Sequence, residues 1–186
     1  MSIVRIAGLS GSLRRGSYNT ALLRAAESVL PNNSQLEIVE YADVPLYNHD
    51  VEAEGFPDAV VSMREQLSGA DAILLAAPEY NWSIPGVMKN AIDWASRGAD
   101  SPLNGKPAAI MGAGGRLGTA YAQQHLRQML MHNDMRVVTK PTVLVSHASK
   151  QFDDDLTLIN EQYLDQIGRL LLALVAEVEL SRPKTH

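Results

Sequence analysis

The chain has 186 residues, the length of one α/β domain, and its 46% hydrophobic and 20% charged residues are typical of a globular protein rather than a disordered one. A net charge of −5, from 16 Lys and Arg against 21 Asp and Glu residues, excludes a general nucleic-acid binder, which needs a basic face. The sequence contains no cysteine, which excludes disulfides, thiolate nucleophiles and iron–sulfur clusters and fits a reducing cytoplasm.

Neither export nor membrane insertion is predicted. The first apolar run is interrupted by Arg5 and lacks the long apolar region of a signal peptide. The longest fully apolar run covers residues 170–176, far short of the ~20 residues that cross a bilayer. We therefore expect a cytoplasmic protein with no membrane contact and no nucleic-acid partner.

Strand-like apolar runs alternate with segments of helical spacing along the chain. Strands are predicted at residues 3–9, 36–41, 71–77 and 107–111, and within 136–145. Helices are predicted at residues 19–30, 57–68, 87–97, 119–132 and about 156–180, the last preceded by an acidic first turn at 153–155. Residues 43–56 are predicted to be a polar loop. The alternation predicts one domain, residues 1–186, with a flavodoxin-like doubly wound parallel sheet in the order 2-1-3-4-5 and helices on both faces.

The segment after the first strand, residues 10–20, which we call the hydroxyl loop, is rich in hydrogen-bond donors and leads into a helix. Its side-chain donors are those of Ser10, Ser12, Arg14, Arg15, Ser17, Asn19 and Thr20. Such donors suit a phosphate at a helix start. The lysine of a Walker A loop is missing, and the glycines do not form a dinucleotide fingerprint, so one terminal phosphate monoester is favoured. The alternative is a polar turn with a Ser or Asn helix cap.

Two further loops follow the third and fourth predicted strands. Residues 78–86, the proline loop, are fixed by two prolines, and Tyr80 and Trp82 are placed either to flank a planar ring or to pack on the core. Residues 112–118, the glycine turn, have the spacing G-x-G-G-x-x-G, which differs from that of an NAD fingerprint. We interpret this turn as a place where backbone closely approaches a flat ligand, and a flexible connector is the alternative.

Two segments carry a specific resemblance. Residues 11–19, GSLRRGSYN, resemble the G-S-L-R-x-x-S-x-N phosphate loop of the NADPH-dependent FMN reductase family. Residues 78–94, PEYNWSIPGVMKNAIDW, resemble that family's P-E-Y-N-x-S-x-P-G-x-x-K-N-A-I-D-W segment, and the likeness is strongest to its bacterial quinone, chromate and azo reductases. The resemblance implies a flavodoxin-like fold, bound FMN, and dimers or tetramers with flavin sites near subunit interfaces.

The resemblance also assigns site residues. It implies that Ser12, Arg14, Ser17, Asn19 and Thr20 hold the FMN phosphate, with Ser10, Leu13, Arg15, Gly16 and Tyr18 in the same cofactor-binding loop. It implies that Pro78, Glu79, Tyr80, Asn81 and Trp82 line the isoalloxazine and that Gly114 and Gly115 lie at its pyrimidine end. Arg14, Arg15 and Arg116 are candidates for contact with NAD(P)H. We expect Trp94 to be core and Asp93 to be structural.

The function that follows is an NAD(P)H oxidoreductase in which FMN carries the redox chemistry, so no catalytic side chain is predicted. Acceptors implied are quinones, nitro or azo compounds, free flavin and chromate. An electron carrier without its own NAD(P)H activity and a flavin-free regulatory module are the alternatives. The five histidines have no metal-ligand spacing, so no metal is predicted. The apolar residues of the helix at 119–132, among them Tyr121 and Met131, predict an oligomer.

Overall fold

The computed structural model describes residues 2–182. Its strands are β1 (Val4–Ser10), β2 (Ser34–Ile38), β3 (Ala72–Ala76), β4 (Pro107–Ala113), β5 (Arg136–Val137) and β6 (Val143–Val145). Its α-helices are α1 (Tyr18–Ser28), α2 (His49–Glu54), α3 (Asp58–Ser68), α4 (Gly86–Ala95), α5 (Ala120–His132) and α6 (Glu161–Ser181), and a short 3₁₀ turn covers Ala148–Lys150.

The strands form one parallel sheet in the order β2-β1-β3-β4-β5, with β6 also paired to β4. This confirms the predicted order 2-1-3-4-5. The predicted fifth strand is divided: β5 pairs with the start of β4 and β6 with its end. Pro141 lies between the two pieces and has no N–H to give to a sheet, which accounts for the interruption.

Alternate residues of β1 belong to the two cores on opposite faces of the sheet. Val4 and Ile6 pack with α1 and α6, whereas Ala7 and Leu9 pack with α3, α4 and α5. Every residue of β3 is buried, as expected for a central parallel strand covered on both sides. The helices therefore cover both faces of the sheet, as predicted.

The prediction of a polar loop over residues 43–56 is wrong in its second half, where α2 forms. The side chain of Asn48 caps this helix by accepting a hydrogen bond of 2.9 Å from the N–H of Asp50. Asp50 and Glu52 in its first turn complement the positive end of the helix dipole. Capping and dipole compensation thus make a short helix from a polar stretch.

The predicted start of the last helix is also wrong. The helix α6 begins at Glu161, and Asn160 caps it by accepting a 3.0 Å hydrogen bond from the N–H of Gln162. The aspartates at 153–155 lie in a preceding turn, where Asp153 accepts a 2.7 Å bond from the N–H of Thr157. Among the helices within residues 2–182, none is long and apolar enough to span a membrane.

Strand order determines where a ligand fits. The chain passes from β1 to β2 on one side and then crosses to β3 on the other side of β1. Loops after β1 and β3 therefore diverge, and in such sheets ligands bind in the crevice at the carboxyl ends of the strands. The hydroxyl loop, the proline loop and the glycine turn all leave the sheet at this edge.

Candidate functional site

The three loops continue the hydrogen bonding of the sheet before they diverge. The N–H of Gly11 donates to the Ala76 carbonyl over 2.8 Å, and the N–H of Ala77 donates to the Met111 carbonyl over 3.0 Å. The N–H of Gly114 likewise donates to the Val145 carbonyl over 3.0 Å. These hydrogen bonds therefore fix the start of each loop relative to the edge of the sheet.

The hydroxyl loop is held onto α1 by its own side chains. Ser17 caps the helix, its Oγ accepting from the N–H of Thr20 over 3.2 Å, and the hydroxyls of Ser10 and Thr20 lie 2.7 Å apart. The first turn of α1 carries no acidic side chain, so its positive end is open to an anion. Arg14 is exposed beside it, with its guanidinium 5.6 Å from the centre of the Tyr18 ring. This donor set suits a phosphate group, and contact of these residues with FMN stays a prediction.

Asn19 has a role that sequence reasoning missed. Its buried side chain donates to the carbonyl of Ala113 and accepts from the N–H of the same residue, each over 3.0 Å. Asn19 therefore joins the start of α1 to the end of β4, where the glycine turn begins. Its contact with the FMN phosphate stays a prediction.

Tyr41 is a second residue that the sequence did not indicate. Its hydroxyl donates a hydrogen bond to the carbonyl of Ser10, where β1 ends and the hydroxyl loop begins. Burial raises the pKa of the Tyr41 hydroxyl above its usual value, which keeps the donor protonated. The uncharged Tyr41 hydroxyl thus holds the start of the hydroxyl loop through this hydrogen bond.

The proline loop lies against the hydroxyl loop at its base. A Cβ on Gly11 would come within 2.8 Å of Pro78 Cδ and 3.1 Å of Pro85 Cγ, so this approach requires glycine. At the tip of the loop, the backbones of Tyr80 and Ser83 exchange two hydrogen bonds of 3.0 and 2.9 Å. The two prolines therefore face the hydroxyl loop, and the tip is a closed hairpin.

The side chain of Glu79 ties the proline loop to α5. Its Oε2 accepts from the N–H groups of Tyr121 and Ala122 over 2.8 and 3.0 Å, whereas the N-cap residue Thr119 makes no side-chain cap bond. The helix start is thus capped by a residue from another loop. The Glu79 carboxylate is engaged with the helix, and a contact between Glu79 and the flavin ring stays a prediction.

Two further contacts join the same loop and helix. Ser83 Oγ and His125 Nδ1 lie 3.1 Å apart, and the Trp82 ring lies against that of Tyr121, with centroids 5.5 Å apart. The proline loop and α5 are thus linked at three points. Sequence reasoning identified the loop but gave no signal for its partner helix.

The glycines of the glycine turn differ in what they face. A Cβ on Gly112 would lie 2.0 Å from Thr119 Oγ1, and one on Gly114 would lie 2.3 Å from the Gly118 carbonyl oxygen. These two glycines therefore allow close approach of the chain to itself, which replaces the ligand-based reason inferred from sequence. Gly115 is exposed, with no atom within 4 Å of such a Cβ. Contact of Gly114 and Gly115 with the flavin stays a prediction.

The second half of the 78–94 motif, in α4, contacts the segment that precedes α2. Trp94 is fully buried, which confirms it as core, and its indole N–H donates to the Pro45 carbonyl over 2.8 Å. Asn90 donates to the same carbonyl over 2.8 Å, and Asp93 pairs with Lys89 at 2.6 Å. Trp94 and Asn90 therefore hold the segment before α2 rather than the carboxyl edge of the sheet, whereas the Lys89–Asp93 pair lies within α4.

The charged side chains of the hydroxyl loop and the glycine turn are arginines, and the one carboxylate of the proline loop, Glu79, is engaged with α5. Arg14, Arg15 and Arg116 are exposed, and none of them takes part in an ion pair formed within residues 2–182. In the same part of the chain, no three His, Asp or Glu side chains are grouped as metal ligands. The site therefore offers positive charge to an anionic ligand.

A doubly wound sheet with a phosphate-type loop after its first strand, and two more loops at the same edge, defines a flavodoxin-like mononucleotide-binding protein. The family model described as NADPH-dependent FMN reductase matches residues 4–150. The chain belongs to this family. FMN as the cofactor and NAD(P)H as the co-substrate, which the sequence predicts, are confirmed at the level of the family.

Individual relatives agree with this assignment. An NAD(P)H-dependent FMN reductase of Pseudomonas aeruginosa is 49% identical over 172 residues, which cover 92% of this chain and 93% of the relative. A quinone reductase of Escherichia coli is 38% identical over 174 residues, covering 91% and 93%. The solved structure of FerB, a flavoenzyme NAD(P)H:(acceptor) oxidoreductase from Paracoccus denitrificans, superposes with a TM-score of 0.86 at 30% identity and covers 96% of this chain and 98% of its own.

Proposed function

We propose that the protein is an FMN-dependent NAD(P)H oxidoreductase whose principal acceptors are quinones. The observation that carries the proposal is the convergence of the hydroxyl loop, the proline loop and the glycine turn at one sheet edge, in a chain of this family. The quinone reductase among the relatives supports the acceptor class. Nitro and azo compounds, chromate and free flavin are further acceptors of the same two-electron chemistry.

Residues of the hydroxyl loop would hold the FMN phosphate. Ser12, Arg14 and Ser17 combine hydroxyl and guanidinium donors with the open N-terminus of α1, and charge-assisted bonds to a phosphate are among the stronger polar contacts. The backbone of residues 78–81 and the open position at Gly115 would border the flat ring. Bound FMN supplies reversible two-electron chemistry that no side chain of this chain provides.

The overall reaction transfers two electrons from NAD(P)H to the quinone. NAD(P)H gives up a hydride, and the quinone is reduced to a hydroquinone by that hydride and one proton from solvent. Because the chemistry needs no acid–base pair, the chain's own contribution is binding and orientation. Arg15 and Arg116, both exposed, would attract the phosphates of the dinucleotide.

We also propose a dimer or tetramer in the cytoplasm. On α5, Leu126 and Leu130 are buried in the core, whereas Tyr121 and Met131 remain exposed. An exposed apolar side chain at each end of one helix supports association through that helix.

Purified protein tests the function directly. We expect visible flavin absorbance after incubation with FMN and desalting, and NAD(P)H oxidation that depends on an added quinone. Bound flavin without NAD(P)H oxidation would favour the electron carrier. Protein that stays colourless at saturating FMN would favour a flavin-free module.

A further inference from the structure

The guanidinium of Arg14 lies beside the start of α1. Its central carbon is 5.6 Å from the centre of the Tyr18 ring, and its Nη1 atom would lie 3.8 Å from a Cβ built on Gly16. Arg14 is exposed and belongs to no ion pair formed within residues 2–182. A cation this close to an aromatic ring is attracted to the face of that ring, so Tyr18 holds the charge of Arg14 near the helix N-terminus.

The Tyr18 ring is supported in turn by Phe152. The two ring centroids are 5.1 Å apart and the ring planes are tilted by 31°, an arrangement typical of packed aromatic pairs. Tyr18 is half-buried, and Phe152, which is 6% exposed, belongs to the core that α1 and α6 form with the sheet. Phe152 therefore limits the rotamers open to Tyr18, and Tyr18 limits those open to Arg14.

Phe152 lies in an acidic turn that neither sequence motif includes. The N–H of Asp153 donates to the Thr157 carbonyl over 3.0 Å. The N–H of Ile159 donates to the Gln151 carbonyl over 2.9 Å, so two backbone hydrogen bonds close the turn. The turn thus fixes a buried ring behind the hydroxyl loop. A side chain that is positioned in advance loses less conformational entropy when a ligand binds to it.

We infer that Phe152 is a positioning residue for recognition of the FMN phosphate, on which it acts through Tyr18 and Arg14. The inference rests on the proposed function, in which Arg14 binds that phosphate. Riboflavin has the ring and the ribityl chain of FMN but lacks the phosphate. A residue that acts through Arg14 therefore strengthens the binding of FMN and leaves the binding of riboflavin unchanged. Phe152 thus contributes to selection of the phosphorylated flavin.

The test titrates the full chain, freed of flavin, with FMN and with riboflavin. The quantity compared is the phosphate preference, which is the Kd of riboflavin divided by the Kd of FMN. Phe152→Leu keeps an apolar side chain in the core but has no ring face. We expect it to lower the phosphate preference about threefold, the size of one exposed cation–π contact, with the Kd of riboflavin within about twofold of wild type. Leu158→Val, a change at a buried residue of the same turn, is the matched control and leaves the preference unchanged.

Two further comparisons separate positioning from a general loss of structure. Tyr18→Phe keeps the ring and should keep the phosphate preference, whereas Tyr18→Leu should lower it about threefold because the face under Arg14 is lost. In an Arg14→Ala background, Phe152→Leu should change the preference no further, since the residue that it positions is gone. Circular dichroism confirms the fold of each variant, and Phe152→Ile takes the place of Phe152→Leu if the latter does not fold.

Each outcome decides the inference. An unchanged phosphate preference in Phe152→Leu overturns it, as does an equal loss of affinity for both flavins or an undiminished effect in the Arg14→Ala background. A preference that falls as far in Tyr18→Phe as in Tyr18→Leu assigns the role to the Tyr18 hydroxyl and also overturns it. Wild-type protein that binds FMN but oxidises no NAD(P)H contradicts the proposed function, and the phosphate preference still decides the role of Phe152. Wild-type protein that binds neither flavin contradicts both.

Discussion

The carboxylate of Glu79 accepts a 2.8 Å hydrogen bond from the backbone N–H of Tyr121, 42 residues later in the chain, so a residue of the proline loop caps α5. The same carboxylate oxygen accepts a second hydrogen bond of 3.0 Å from the N–H of Ala122, so it caps two N–H groups of the helix. The first N–H groups of a helix have no partner within it. A negative charge at that end also interacts favourably with the positive end of the helix dipole. One side chain thus stabilises α5 and fixes the loop predicted to border the flavin ring.

Removing this cap should weaken both elements. We expect Glu79→Ala to lower the free energy of unfolding by about 1 kcal/mol, the usual effect of losing a helix cap, and to weaken FMN binding because the proline loop is freed. Urea unfolding and FMN titration measure the two effects. Glu79→Gln keeps an acceptor oxygen and should recover part of both. Equal FMN affinity in Glu79→Ala and wild type would show that the tie to α5 does not position the flavin.

The hydroxyl loop should determine FMN affinity. We expect Arg14→Ala combined with Ser17→Ala to weaken FMN binding by at least about tenfold, because charge-assisted hydrogen bonds contribute ~1.5–3 kcal/mol each. Loss of flavin on dilution and desalting measures the effect. Arg24→Ala, which removes an exposed arginine further along α1, is the control for net charge. A double variant that retains full flavin occupancy would place the phosphate elsewhere.

Tyr41 predicts a specific dependence of stability on pH. Its pKa is raised in the folded protein, so its contribution is fully present below the unfolded value of about 10 and is lost as pH rises toward the folded value. We expect Tyr41→Phe to lower the free energy of unfolding by about 1 kcal/mol at neutral pH, through loss of the bond to Ser10. Above pH ~10, the difference between the two proteins should shrink by up to about 1.4 kcal/mol per pH unit. A constant difference across this range would mean that the hydroxyl is not held in its neutral form.

Most of the fold follows from patterns that are local in sequence. The apolar runs predicted the central strands, and five strands joined by helical crossovers predicted the flavodoxin-like order that the sheet has. The wrong predictions concern helix starts that are set by a polar N-cap rather than by apolar periodicity. Asn48 caps a helix inside a polar stretch, and Asn160 caps α6 at a position after the aspartates. Caps of this kind depend on side-chain geometry that periodicity does not report.

The residue types of the candidate site were also predictable from the sequence, but the hydrogen-bond partners of those residues were not. The donors of the hydroxyl loop are visible as residue types, whereas the partner of Asn19 lies 94 residues away and that of Tyr41 lies 31 residues away. Such pairs are set by strand order and register, and no single motif contains both members. A side chain assigned from sequence to a ligand, such as Asn19, can therefore bond to the protein itself.

Oligomer formation should depend on α5. Met131 is 71% exposed near the end of this helix, where an apolar side chain gains nothing from the core. We expect light scattering of the wild type at micromolar concentration to give the mass of a dimer or tetramer, and Met131→Glu to lower that mass, because a buried unpaired charge opposes association. Leu172→Glu on the exposed side of α6 should have no effect. A wild-type particle of monomer mass would contradict the prediction.

The order of substrate binding should reflect the single open edge of the site. The proline loop is held against both the hydroxyl loop and α5, and the glycine turn borders the same edge, so we expect one exposed ring face to serve NAD(P)H and the acceptor in turn. Two substrates that share one face cannot bind together productively, and the first product leaves before the acceptor enters. Double-reciprocal plots against NAD(P)H at several menadione concentrations should therefore be parallel, and rapid mixing with NAD(P)H alone should bleach the visible absorbance before any acceptor is added. Lines that intersect would show that both substrates occupy the site at once, and absorbance that persists until the acceptor arrives would separate the protein from the reductases that it resembles.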